Sequence, residues 1–179
     1  MEKLIITVTV DSTMSYPRNP YSPKPTDTKA VAEEYVRSVN AGASIVHIHG
    51  SYTNDPQIQP DGRQLQIPIL EGWRDIHERI LAKCRPIIQF GLASIRKEQK
   101  LALWQALHPD MSSINFNSHD EYFQPDPADP PVGCYSVHPI SELREYARLA
   151  KGHGIKLEIE CFTTGAFWAI NKICQGDFW

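Results

Sequence analysis

Five short apolar runs punctuate the chain, and a stretch of helical periodicity follows each of them. Residues 3–10 (KLIITVTV), 43–49 (ASIVHIH), 86–91 (PIIQFG), 110–116 (DMSSINF) and 155–162 (IKLEIECF) are strand-length and mostly rich in β-branched residues, so they are predicted as strands. After the first, Ala30, Val31, Tyr35, Val36 and Val39 recur at helical spacing. Thr26 or Asp27 can cap that helix, and Gly42 stands where a C-terminal glycine belongs. Further helices are predicted over residues 68–83, 96–107 and 142–151, and another begins over 165–173. Ser141 is expected to cap the fourth, and Gly152 and Gly154 to end it. Residues 11–25, interrupted by Pro17, Pro20, Pro23 and Pro25, are predicted as a long loop, as are residues 50–66 and 117–133.

Strands alternating with helix-length segments imply right-handed βαβ crossovers and a parallel sheet. No self-similar repeat or interdomain linker interrupts the pattern, so residues 1–179 are expected to form a single α/β domain. The 41% hydrophobic content supports a sizeable core, and a net charge of −3 excludes the composition of a disordered chain. That slight acidity predicts neither nucleic acid nor an anionic membrane surface as a partner. No run approaches the roughly 20 apolar residues of a membrane helix, and the N-terminus lacks a secretory pattern, so a cytoplasmic location is expected. Cys84, Cys134, Cys161 and Cys174 are widely spaced, which favours buried reduced thiols over a disulfide framework.

The sharpest chemical feature is His47-Ile48-His49 at the C-terminal end of the second strand. Residues i and i+2 of a strand share a face, so both imidazoles can reach one metal ion. Two histidines hydrogen-bonded near the surface would give the same pattern, but parallel α/β proteins build their sites at the carboxyl ends of strands. A catalytic zinc usually takes three protein ligands, so a third must come from elsewhere. Glu158 and Glu160 form a second i, i+2 pair on the fifth strand, where buried carboxylates are costly unless paired or bound to metal. An ion pair with Lys156 is the alternative. Ser113 and Asn115 repeat the geometry on the fourth strand and offer neutral groups that can orient a carbonyl or carboxylate. Asp11, Ser12, His119 and Asp120 follow strands and can face the same mouth, although such loop residues often make turns. His77, His108 and His153 are expected in surface or packing roles, and Trp73, Trp104, Trp168 and Trp179 in the core or at interfaces. The chain has no GxGxxG, Walker-type or GxSxG motif, which disfavours dehydrogenases, kinases and α/β hydrolases.

In order and spacing, KLIITVTV, NAGASIVHIH, PIIQFG, PDMSSINF, the His138-Pro139 pair and GIKLEIECFTTG together resemble the β-keto acid cleavage enzymes over nearly the whole chain. The resemblance implies a (β/α)8 TIM-type barrel that uses zinc to condense a β-keto acid with acetyl-CoA, giving acetoacetate and a new CoA thioester. By position, His47 and His49 match the family's histidine zinc ligands, Glu158 a glutamate associated with the active site, Ser113 a hydroxyl-bearing threonine and Asn115 an asparagine. Other positions depart from the pattern. Gly91 stands where the family carries a serine, and Met14 where it carries a glutamate that Asp11 is a candidate to replace.

A complete eight-unit barrel typically needs about 250 residues. The 179 residues here accommodate about five β/α units, and the strand that carries the family's third zinc ligand has no counterpart after Phe162. An incomplete barrel lacking its C-terminal three units is therefore expected. Its open edge predicts association, with a homo-oligomer the expected form. Two functional classes follow: a zinc-dependent keto acid cleavage enzyme, for which the departures at Gly91 and Met14 leave room for an altered substrate, or a catalytically inactive metal-binding remnant or assembly module. A metal hydrolase with HxH on a barrel strand ranks last, because in that class the pair normally belongs to the first strand.

Overall fold

The computed structural model describes residues 4–10, 23, 24, 26–51, 57, 58, 64, 65, 68–92, 95, 97–123, 128 and 132–173. In chain order the elements are β1 (Thr7–Val8), α1 (Thr28–Asn40), β2 (Ile45–Ile48), β3 (Gln57–Ile58), β4 (Gln64–Leu65), α2 (Leu70–Leu81) and β5 (Ile87–Gly91). They continue with α3 (Lys97–Leu107), β6 (Met111–Asn115), β7 (His119–Phe123), β8 (Val132–Ser136), α4 (Ile140–Gly152), β9 (Lys156–Glu160) and α5 (Gly165–Ile173). Five strands form one sheet in the order β1-β2-β5-β6-β9, every neighbouring pair parallel. The order never reverses along the sheet, and right-handed crossovers on such a sheet place successive helices on the same face. No helix among the described residues is long and apolar enough to cross a membrane.

Local chemistry sets the element boundaries. The Asp27 side chain accepts from the backbone N–H of Ala30 at 3.0 Å and starts α1. The Thr28 hydroxyl then donates to Asp75 on α2 at 2.6 Å. Arg79, one turn beyond Asp75, donates to the same carboxylate and, with Thr28, holds it below the usual carboxylate range. The fourth helix starts earlier than its expected Ser141 cap: Pro139 occupies the N-cap in extended conformation, its carbonyl accepts from Leu143 N–H at 3.1 Å, and no side chain caps the end. Proline's fixed φ delivers the chain to the helix there, and Ser141 lies inside the first turn.

The helix-facing side of the sheet forms the core. Val46, Ile48, Ile88, Phe90 and Ile114 are buried there with Trp73, Ile76 and Ile80 of α2, Leu103 and Trp104 of α3, and Leu143 and Tyr146 of α4. Trp73 stands edge-on to Phe90, with ring centroids 4.9 Å apart, and its indole N–H donates to the Ser51 carbonyl at 3.1 Å. Gly50 makes that seat possible. It holds φ +76°, and a Cβ there would lie 2.0 Å from the indole.

Several sequence expectations change in detail. Two expected loops carry antiparallel ribbons, β3 with β4 and β7 with β8. Each ribbon satisfies its backbone within the excursion, and in β7 and β8 the prolines between the two arms hide the short alternating runs. The first strand pairs only over Thr7–Val8, and Leu4, Ile5 and Ile6 are exposed. Cys84 is half-buried and Cys161 exposed, so the expectation of uniformly buried thiols fails at Cys161, which lies just past the end of β9. Trp73 and Trp104 are core residues as expected, whereas Trp168 is exposed on α5. Asp11, Ser12, Met14, Cys174 and Trp179 lie outside the described residues.

Candidate functional site

The face of the sheet turned away from the helices is polar. Parallel pairing aligns His47 of β2 with Gln89 of β5, Gly91 of β5 with Ser113 of β6, Ser113 with Glu158 of β9, and Asn115 with Glu160. Strand alternation sends these residues to one face while Val46, Ile48, Phe90 and Ile114 go to the other. The sheet thus brings together all five site residues expected from the sequence. Tyr35 of α1 braces the strands that carry them: its hydroxyl donates to the His47 carbonyl at 2.6 Å and accepts from Val10 N–H at 3.4 Å.

The two imidazoles converge. His47 Nε2 and His49 Nε2 are 3.2 Å apart, with ring planes 82° from parallel. Two nitrogens bound to one tetrahedral zinc at 2.0–2.1 Å would be separated by about 3.3 Å, so the pair already has the spacing of two ligands on one ion. Gly91 leaves room for it: a Cβ at that position would come within 2.5 Å of His47 Nε2 and 2.6 Å of His49 Cδ2. Among the described residues no group of three His, Cys, Asp or Glu side chains could hold a metal.

Gln89, 1% exposed, lies beside the pair. Its Oε1 is 2.9 Å from His47 Nδ1, and its Nε2 donates to Glu158 Oε2. Glu158 Oε2 is also 3.9 Å from His47 Nδ1, and its side chain keeps 45% exposure against 13% for His47. The carboxylate expected to be buried is therefore satisfied by Gln89 at the open side of the sheet. On the far side of the histidines, Thr9 Oγ1 lies 3.5 Å from His49 Nδ1.

Ser113 and Asn115 are 1% and 0% exposed, and neither the Ser113 hydroxyl nor either polar atom of the Asn115 amide has a hydrogen-bond partner. Leaving such groups buried and unpaired costs roughly 1–3 kcal/mol each, a burden common where a site awaits a ligand. Near the same end of the sheet, His119 stacks on Phe162 with centroids 4.3 Å apart, and its ring centroid lies 6.5 Å from that of His138. The His138 Nε2 is buried without a partner, and burial, aided by the nearby Lys100 charge, pulls the imidazole down to about 3. Lys100, buried on α3, sits 4.7 Å from the Tyr146 ring centroid, and burial lowers its ammonium to about 8 despite the opposing pull of Glu142 and Glu160. His77 is also lowered by burial, in keeping with its expected packing role beside Phe90.

The sequence reading missed Gln89 and Lys100. Gln89 carried a signal, as the polar side chain inside an apolar strand, two residues before Gly91. Lys100 carried none, because a lysine in an amphipathic helix normally faces water.

A family model described as beta-keto acid cleavage enzyme matches residues 3–177. The 3-keto-5-aminohexanoate cleavage enzyme of Fusobacterium nucleatum subsp. nucleatum is 27% identical over 190 residues, which cover 98% of this chain and 59% of that protein. The chain thus spans less than two thirds of the length of the curated relative it matches.

Proposed function

Because the chain belongs to the beta-keto acid cleavage enzymes, we propose that its polar sheet face is part of a zinc site that cleaves a β-keto acid, using acetyl-CoA and releasing acetoacetate and a CoA thioester. The observation that carries this function is the convergence of the His47 and His49 Nε2 atoms on the same sheet face as the unpartnered Ser113 and Asn115. His47 and His49 would hold the ion, which supplies Lewis-acid stabilisation of negative charge on a substrate oxygen. Ser113 and Asn115 offer a hydroxyl and an amide, already desolvated, that can orient the substrate's carbonyl or carboxylate and stabilise charge developing there. Glu158, tethered by Gln89, presents a carboxylate at the open side of the sheet as a proton acceptor.

In the same proposal, residues 1–179 belong to one domain and contribute five units of a β/α barrel, and the sequential strand order supports that winding. Among the described residues β1 and β9 each pair on one side only, and Phe167 and Trp168 are exposed on α5. Those features support association into a homo-oligomer.

The second functional class is a metal-binding module without turnover; among the described residues no third His, Cys, Asp or Glu joins His47 and His49. Two measurements separate the readings. Purified chain is expected to retain about one zinc per molecule or site, and the His47→Ala, His49→Ala double variant to lose it; equal metal content in both sinks the site. Acetoacetate formation from acetyl-CoA across a panel of β-keto acids is then expected for the enzyme, and its absence from metal-loaded protein leaves the binding module.

A further inference from the structure

We propose that Gln89 is a positioning residue: anchored by the Glu158 carboxylate, its amide holds His47 in the tautomer whose Nε2 lone pair faces His49. The chemistry of the contacts fixes the direction of each bond. An ionised carboxylate only accepts, so the Gln89 NH2 must face Glu158 Oε2. The amide oxygen is then turned toward His47 Nδ1, 2.9 Å away, and that nitrogen must carry the ring proton. In neutral imidazole the remaining lone pair is on Nε2, the atom 3.2 Å from His49 Nε2. His49 completes the sequence, with its Nε2–H donating to His47 and its Nδ1 toward the Thr9 hydroxyl. Four strands thereby contribute to one oriented chain, from Thr9 on the β1 side through His49, His47 and Gln89 to Glu158 on β9.

The packing leaves Gln89 little alternative. It is 1% exposed, and its two polar ends are occupied by groups on the two flanking sides of β5. Reversing the amide would set its oxygen against a carboxylate oxygen. With the proton kept on Nδ1, both imidazoles can present Nε2 to one ion once His49 gives up the proton between them. The consequence for metal binding rests on the zinc site proposed above; the consequence for the tautomer does not.

Both are read in the full chain. Long-range 1H–15N correlation of metal-free protein at alkaline pH is expected to show His47 as the Nδ1–H form. Gln89→Met, close in volume, is expected to give a mixture of tautomers and to weaken zinc binding by about 10–100-fold in competition with a chromophoric chelator. Glu158→Gln changes a half-exposed side chain without disturbing the core, and because its amide donates as well as accepts, either orientation of Gln89 is satisfied; it is expected to give mixed tautomers even if Gln89→Met fails to fold. An Nε2–H form in the wild type, or an unmixed Nδ1–H signal in both Gln89→Met and Glu158→Gln, overturns the proposal. Wild-type chain that binds no zinc yet shows the Nδ1–H form removes the metal site and leaves the positioning role standing.

Discussion

The two faces of the same five strands follow opposite rules. Toward the helices, Val46, Ile48, Ile88, Phe90 and Ile114 pack against apolar helix stripes and are at most 2% exposed. Toward the other side, His47, Gln89 and Glu158 are joined through side-chain hydrogen bonds, and Ser113 and Asn115 bury polar atoms with no partner. One face gains free energy from area removed from water; the other forgoes it and holds groups ready for a ligand. Stability and chemistry are thus separated by the pleat of a single sheet.

The separation can be broken most strongly from the helix side. Phe90→Ala removes a fully buried ring from between Trp73 and His77 and is expected to cost about 3–5 kcal/mol in urea denaturation. The variant should keep the wild-type His47 tautomer for as long as it stays folded, although Phe90 is flanked by Gln89 and Gly91 in the same strand. Loss of the tautomer in the folded variant would show that the two faces are coupled.

A smaller effect is expected at Lys100, where a charge intrudes on the packed side. Its ammonium, ordinarily near 10.5, is lowered to about 8 by burial. Below about 8 the native state must carry the charge inside; between about 8 and 10.5 it sheds the proton while the unfolded chain keeps it. Stability therefore rises with pH through that window, by about 3 kcal/mol at most. Lys100→Met is expected to flatten this rise and to be the more stable form at pH 7, as read from denaturation midpoints between pH 7 and 10. A parallel pH dependence in both proteins would refute it.

The smallest effect belongs to the polar face. Ser113→Ala removes a buried hydroxyl without a partner and is expected to raise stability by about 1 kcal/mol while lowering acetoacetate formation. A destabilised variant would mean that the hydroxyl is satisfied in the native protein and does not await a ligand.

Much of this arrangement was legible in the sequence. Period-two alternation through ASIVHIH and DMSSINF already put His47 with His49 and Ser113 with Asn115, because a strand sends alternate side chains to opposite faces. The Asp27 cap was legible for a similar local reason. Ser141 misled because a cap depends on where the preceding proline delivers the chain. The ribbons β3–β4 and β7–β8 were hidden because β3 and β4 are two residues each and a proline-rich stretch separates β7 from β8, so neither pairing has a local period.

What the sequence determined by itself was the alternation of strands and helices, the apolar stripe of each helix, and which side chains of each strand share a face. These follow from backbone periodicity and depend only on neighbours in the chain. The tertiary structure decided which strands lie side by side and in what register, and hence that Gln89 bridges His47 on β2 and, past β6, Glu158 on β9, 42 and 69 residues away in the chain. It also decided that Gly91 clears space for the imidazoles and that Lys100 is buried. Contacts between residues far apart in sequence exist only once register is set by packing, and no local pattern encodes them.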